Sequence, residues 1–359
     1  MRILVCPPEY FDVDYVINPW MEGQVGGIDK VLAHSQWESL FDDVSATSNI
    51  ESVAPREGSP DMCFTANAGL VESGRVVPAQ FRMPERSAEE GPFASWFEDA
   101  GFEVAPLSGT DPYEGEGDAL FQPGEPLLWA GYGVRTALES HLGLAIFFDV
   151  EVVSLRLVDQ RFYHLDTCFA PLPDGRLLYY PAAFDERSRA EIESRVSAER
   201  RLAVSNFDAM HFACNMLRIG DRLFMNAATD ALRDALAAWD FETRLHPVGE
   251  FLKAGGGVKC LSLLLDQPGF DRPTATPPTS IRTARVQLRG HLLDAGLLRR
   301  VLDIVTQANG SFRVDSLDLA ERKDQESRAL LQIVAPTDQD LSVIMDSLLD
   351  LRIGSVELG

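Results

Sequence analysis

DQPGFDRPTATPPTSI, residues 266–281, carries four prolines and no apolar period, so it continues neither a helix nor a strand and reads as a linker. It divides the chain into residues 1–266, a Pro-rich connection at 267–281 and a small unit at 282–359. Before it, short strands alternate with helices. Arg2–Cys6 reads as a strand and Asp29–Asp42 as an amphipathic helix with Asp29 as its cap. Met62–Glu72 reads as extended, Ala88–Ala100 as helix, Phe102–Pro106 as strand, Gly133–Phe147 as helix and Val152–Val158 as strand. Arg176–Tyr180 is a strand and Glu186–Val196 a helix. Cys214–Asn226 is a hairpin turning at Gly220–Asp221, Thr229–Ala238 a helix and Val258–Leu265 a last strand. About five strand–helix units of roughly 50 residues follow one another. Such a series is an α/β fold, built as an open sheet or as a ring of five units. After the linker, Ala284–Arg289, Leu293–Ala308, Ser311–Asp318, Ala329–Val334, Asp338–Asp350 and Ser355–Leu358 follow a β-α-β-β-α-β order, the split ferredoxin-like motif. This small unit carries no cysteine and one histidine, His291, which suits regulation or subunit contact better than catalysis.

Composition excludes several classes. With 45% apolar and 24% charged residues the chain has the balance of a globular protein. The longest apolar runs, Leu142–Phe148 and Leu261–Leu265, fall well short of the ~20 residues of a bilayer span. The start, MRILVCPPEY, reads as a strand instead of a signal segment, so a cytoplasmic location is expected. Fifty-five acidic against 32 basic residues give a formal charge of -23. Nucleic acid and anionic membranes need basic patches and are disfavoured as partners, whereas a cationic small substrate is compatible. Excess acid is also the commonest solubility device, so charge alone names no substrate. The five cysteines, Cys6, Cys63, Cys168, Cys214 and Cys260, are odd in number and lack metal-type spacing, as expected for free thiols in a reduced compartment. Oligomeric state is left open, a homo-oligomer included.

Four segments place reactive groups inside apolar or Gly-rich surroundings. In GGGVKC, Gly255–Cys260, three glycines allow the backbone to approach a ligand, and a cysteine follows at the entrance of an apolar strand. In RFYHLDTCF, Arg161–Phe169, His164 and Asp166 are two apart, so on a strand they share one face. An imidazole can move protons there while a carboxylate holds a cation. YEGEGDAL, Tyr113–Leu120, sets Glu114, Glu116 and Asp118 among glycines; acids this close repel unless a cation or a donor set balances them. In DMCFTANAGLV, Asp61–Val71, Asn67 interrupts an apolar stretch and needs partners if buried. Arg82, Arg86 and Arg135, in FRMPER and GYGVRT, are of the type that captures carboxylates.

In order along the chain, MRILVCPPEYFDVDYVINPWM, FTANAGLV, FRMPER, EGEGDAL, GYGVRTA, FYHLDTCF, CNMLRIGDRLFMN and GGGVKC resemble the guanidine-modifying superfamily of amidinotransferases, arginine deiminases and dimethylarginine dimethylaminohydrolases. Within it the match is best to arginine dihydrolases. The C-terminal part resembles the small domain that follows them in bifunctional chains with an ornithine-cyclising portion, for which no Gly-rich dinucleotide fingerprint is seen here. The resemblance implies a five-bladed α/β propeller, with the ferredoxin-like unit after it, and hydrolysis of free L-arginine to ornithine, ammonia and carbon dioxide without a cofactor or metal. It implies Cys260 as nucleophile, His164 as acid–base group, and Asp166 with a carboxylate of the EGEGD loop as the guanidinium grip. Glu114 is preferred in that loop because it follows the aromatic Tyr113, with Asp118 kept as a further substrate contact. Arg86 and Arg135 are implied at the substrate carboxylate, and Asn18 and Asn67 as the amides that mark dihydrolases. The alternatives are an arginine deiminase, a dimethylarginine dimethylaminohydrolase, or an arginine-binding regulatory protein without activity.

Overall fold

The computed structural model describes residues 1–107, 110–267, 270, 282–290, 297–318 and 327–351. Their organisation is one strand pattern used five times. The strands and helices in chain order are β1 (Arg2–Val5), α1 (Lys30–Ser45), β2 (Asn49–Ser52), β3 (Gly69–Glu72), β4 (Arg75–Pro78), α2 (Glu90–Asp99) and β5 (Glu103–Val104). Next come β6 (Ala119–Phe121), β7 (Leu127–Tyr132), α3 (Ser140–Phe148), β8 (Glu151–Arg156), β9 (Phe169–Leu172), β10 (Arg176–Tyr179), α4 (Glu186–Arg195) and β11 (Arg201–Ala203). Then follow α5 (Asn206–Met210), β12 (Leu217–Ile219), β13 (Arg222–Met225), α6 (Asp230–Ala237), β14 (Glu242–Leu245), α7 (Gly249–Leu252) and β15 (Leu263–Leu264).

In each unit an antiparallel pair is followed by a helix, and the helix returns the chain to a strand parallel to the second. β3 pairs antiparallel with β4, which pairs parallel with β5. The same holds for β6–β7–β8, β9–β10–β11 and β12–β13–β14. The remaining unit is split between the ends of this region: β15 pairs antiparallel with β1, and β1 pairs parallel with β2. Parallel neighbours need a crossover, and a helix supplies it each time. The helices start where the sequence offers a cap: Asp29 accepts the Leu32 N–H at 3.0 Å and Asp185 the Ser188 N–H at 2.8 Å.

After the linker, β16 (Arg282–Gly290), α8 (Leu297–Gln307), β17 (Ser311–Asp318), β18 (Ser327–Ala335) and α9 (Asp338–Asp350) form a sheet of order β16-β18-β17 with antiparallel neighbours. The strand expected at Ser355–Leu358, most of the linker and His291 lie outside the described residues. This C-terminal sheet is not set apart. β17 pairs antiparallel with β8 at Phe312 and Val152, so six strands run continuously from β16 to β6. Phe148, Val150 and Val152 share one apolar cluster with Val305, Phe312 and Leu331. Arg195 Nη2 donates to Ser311 Oγ at 2.7 Å, and Arg313 pairs with Asp149 at 2.6 Å.

Three sequence expectations change. Met62–Glu72 is extended only from Gly69; the 3-10 turns Pro60–Cys63 and Thr65–Ala68 precede it. The helix expected from Gly133 begins at Ser140, because Gly133 sits at φ +110 and the chain loops until Glu139. Val258–Leu265 is strand only at Leu263–Leu264. All three changes lie in loops that carry polar groups inward, where apolar neighbours imitate the strand or helix pattern. Among the described residues no helix is long and apolar enough to cross a membrane.

Phe312 is fully buried at the seam between β17 and β8. Phe312→Ala should cost on the order of 3–5 kcal/mol and free the C-terminal sheet, read as a lower Tm and earlier proteolytic cleavage between the two parts. An unchanged Tm would show that the seam contributes nothing.

Candidate active site

The first strand of each antiparallel pair is entered from a tight loop, and the five loops meet. Asn67 lies on the 3-10 turn Thr65–Ala68, Glu114 opens the turn Gly115–Gly117, and His164 and Asp166 flank Leu165 in the turn Leu165–Thr167. Asn215 precedes β12 and Cys260 precedes β15. Hydrogen bonds link the loops in a closed circuit. The Ala66 N–H donates to the Cys260 carbonyl at 3.1 Å, and Asn67 Nδ2 donates to the Glu114 carbonyl at 3.2 Å. Glu114 Oε2 lies 2.6 Å from His164 Nε2; Asn215 Nδ2 donates to the Asp166 carbonyl at 3.2 Å and to Cys260 Sγ at 3.1 Å.

A cavity opens over this ring. Cys260, His164, Asn67, Asn18, Arg86 and Arg135 all line it, with Asp61 and Tyr163. Asp166 and Glu114 stand one contact behind. Asp166 Oδ2 is 3.5 Å from Cys260 Sγ, and Glu114 receives His164 and Arg135, the latter at 3.2 Å. His164 and Asp166 sit on a 3-10 turn and not on a strand, so the expected common face is replaced by divergence: the imidazole turns to Glu114 and the carboxylate to the thiol. Asp118 does not line the cavity. Its oxygens accept the Leu165 N–H at 3.0 Å and the Thr136 hydroxyl at 2.7 Å, which fixes the neighbouring loop.

Gly256 of the GGG segment lines the cavity, and the segment serves a second purpose as well. A Cβ on Gly256 would fall 2.2 Å from the Phe64 ring, and one on Gly257 2.7 Å from Asn215 Oδ1. These glycines make room for protein side chains that hold the cysteine loop. Sequence reasoning missed Asn215, although CNMLRIGDRLFMN contains it, and missed Asp61, Tyr163 and Lys259. A polar residue within an apolar run was the available signal for Asn215 and Lys259.

Electrostatics follow from burial. Six carboxyl groups, Asp61, Glu89, Glu114, Glu116, Asp118 and Asp166, and three fixed cations, Arg86, Arg135 and Lys259, are buried here. Burial pushes Asp166 up to about 7, against the pull of Lys259. Burial likewise raises Glu89 to about 7 despite its bidentate contact with Arg86. For Glu114 burial is outweighed by Arg135 and His164, and its carboxyl falls to about 2. Burial, then Asp166, raise the Cys260 thiol well above its ordinary value, so the empty site holds a thiol and not the reactive thiolate. Asp61 Oδ1 and Asp166 Oδ1 are buried without a hydrogen-bond partner. Two unpaired carboxylate oxygens, one in the cavity lining and one behind the thiol, suit a ligand with a cation at each end.

Asn215 Oδ1 accepts the Lys259 and Cys260 N–H groups at 3.0 and 3.2 Å, so one amide fixes the loop and contacts its sulfur. Asn215→Ala leaves these buried groups unmatched, at ~1–3 kcal/mol. Turnover that depends on Cys260 should then fall about tenfold to a hundredfold. A variant with parental kinetics would remove Asn215 from the site.

Residues 283–358 match the LOR/SDH bifunctional enzyme conserved region. Over 351 residues the chain is 47% identical to the bifunctional arginine dihydrolase/ornithine cyclodeaminase ArgZ of Synechocystis sp., covering 98% of this chain and 50% of that protein. The chain thus spans about half the length of the bifunctional relatives it matches. It is 37% identical over 263 residues to the N(G),N(G)-dimethylarginine dimethylaminohydrolase of Mycobacterium tuberculosis, covering 73% of this chain and 85% of that one. A crystal structure of the N-terminal domain of ArgZ, an arginine dihydrolase of cyanobacteria with a cysteine-to-serine substitution and bound to substrate, superposes with TM-score 0.73 at 49% identity. It covers 74% of this chain and 98% of its own. The chain belongs to the guanidine-modifying hydrolase family that includes arginine dihydrolase and dimethylarginine dimethylaminohydrolase.

Proposed function

We propose that this chain is an arginine dihydrolase, which converts L-arginine and two waters to ornithine, two ammonia molecules and carbon dioxide through a covalent adduct on Cys260. The observation that carries the reading is the thiol of Cys260 set 3.5 Å from Asp166 and 3.1 Å from Asn215, with the His164–Glu114 pair lining the same loop ring. Likeness to a substrate-bound dihydrolase domain over nearly its whole length supports it. We also read the five three-strand patterns as blades of an α/β propeller spanning residues 1–266, and residues 282–359 as a ferredoxin-like unit docked on one blade.

Guanidinium is a poor electrophile because its charge is delocalised. Asp166 and Glu114 hold it protonated beside the sulfur, and its arrival supplies the positive charge that lets the Cys260 proton leave. The thiolate attacks the central carbon. His164 donates a proton to the departing nitrogen, then activates water against the thioether adduct, and the sulfur leaves. That cycle gives ammonia and a neutral ureido group. A second hydrolysis releases the other terminal nitrogen and leaves a carbamate of ornithine, which loses carbon dioxide. Arg135 and Arg86, which line the cavity, suit the substrate carboxylate, and Asp61, whose Oδ1 is unpaired, suits its ammonium. The Asn18 amide, donating to the Ala254 carbonyl at 3.0 Å, lines the same cavity.

Asn67 favours two hydrolyses over one. Its Oδ1 accepts from Arg86 at 2.8 Å, and its Nδ2 donates to the Glu114 carbonyl. The orientation of the amide is thereby fixed, and the second Nδ2 hydrogen remains to donate to a neutral ureido oxygen. Amino-acid chromatography of a timed arginine reaction tests the reading. The parent should give ornithine with two ammonia per arginine consumed, and Cys260→Ser should give neither. Citrulline alone from the parent would make the chain a deiminase, and no ammonia at all would leave it a binding protein. Asn67→Asp should shift product from ornithine towards citrulline, the unmatched polar contact being worth roughly tenfold to a hundredfold in retention of the intermediate. An unchanged ratio in an active variant would remove Asn67 from this role.

A further inference from the structure

The residue before the nucleophile forms a buried ion pair that the chemistry above does not use. Lys259 Nζ lies 2.5 Å from Glu116 Oε2 and donates to the Ser262 carbonyl at 3.1 Å; both side chains are buried. Neither lines the cavity over Cys260. With Asp166 they line a second cavity that shares no lining residue with the first. Glu116 also accepts the Leu264 N–H at 3.3 Å and the Gln267 amide, so it is fixed from several sides. As a stability device such a pair is poor, because both ions lose water and an apolar pair of equal volume would serve as well.

We propose that Lys259, anchored by Glu116, is a positioning residue that keeps the Asp166 carboxylate charged beside Cys260, ready for a guanidinium. This rests on the reading of the site as a guanidinium hydrolase. Asp166 is the group in need of such help: its Oδ1 has no partner, and burial works against its charge. The ionisable groups around it are His164 and Cys168 on its own turn, Glu114, Glu116 and Asp118 from the turn before β6, Cys214 before β12, and Cys260 and Lys259 before β15. Arg218 on β12 and Asp266 line the same cavity; of the two fixed cations, Lys259 is the buried one next to Cys260 and the one that acts on Asp166. Lys259 and Asp166 line one cavity, and Lys259 draws the Asp166 carboxyl down more strongly than Glu116 pushes it up.

The test is kcat/KM for arginine against pH in the parent, Lys259→Met, Lys259→Arg and Glu116→Gln. In the parent kcat/KM should fall as pH drops through about 7, where Asp166 takes up a proton. In Lys259→Met the acid limb should move up by about one pH unit or more, with much of the loss recovered at alkaline pH. Lys259→Arg should restore the parental profile. Glu116→Gln removes the opposing charge, so its limb should move down. A merely structural pair predicts lower activity with unmoved limbs, and that result in Lys259→Met overturns the proposal. Should Lys259→Met fail to fold, Glu116→Gln decides alone: a limb that stays or rises overturns it. A parent that leaves arginine intact removes the functional reading, and this proposal with it, by a different observation.

Discussion

Six buried carboxyl groups in and behind the site, with Arg86, Arg135 and Lys259 as the fixed counter-charges buried among the described residues there, are the constraint on which this protein depends. Burial alone makes such a centre unfavourable, and its consequences are visible at Asp166 and Glu89, both raised to about 7, and at Cys260, held as a thiol. A ligand carrying a delocalised cation at one end and an ammonium at the other relieves this imbalance. On the proposed reading, substrate binding and activation of Cys260 are one electrostatic event. In the empty site burial, then Asp166, hold the Cys260 thiol well above its ordinary value, which disfavours thiolate chemistry before a cation arrives.

Holding that centre requires a scaffold that brings distant loops together with little slack. The repeated pairing pattern does this by ending each repeat in a short loop before its first strand, so that residues from Asn67 to Cys260 meet although nearly 200 positions separate them (260 − 67 = 193). The circuit of hydrogen bonds through Ala66, Asn67, Glu114, His164, Asp166, Asn215 and Cys260 closes because β15 returns to pair with β1. The C-terminal sheet extends one repeat through β8, and one apolar cluster joins that extension to α3 and to Tyr113 and Ala119 beside the site loop.

The longer helices and the recurring strand–helix units were legible because periodic segments carry their own signal, and Asp29 caps where the sequence places it. Cys260, His164 and Asn67 were legible because polar groups stand out in apolar or Gly-rich stretches. The site loops were misread for the same reason. Around Leu165 and Val258 the neighbours are buried and apolar, so turns looked like strands, and the directions of His164 and Asp166 came out wrong. Asp118 could not be separated from Glu114 by spacing, since its hydrogen bonds to Leu165 and Thr136 are tertiary. Asn215 stood out as a polar residue in an apolar run, but its partners, like those of Asp61, lie across the ring and no local pattern encodes them.

The central claim is that the empty centre carries too few positive charges and that arginine completes it. Calorimetric binding of arginine to the Cys260→Ser variant, in buffers of different ionisation enthalpy, measures it without turnover. At pH 7 binding should release protons, on the order of half a proton each from groups such as Asp166 and Glu89 that stand near 7. The release should fade towards zero above about pH 9, where those groups are already charged. Proton uptake, or no exchange at pH 7 with tight arginine binding, would contradict the account.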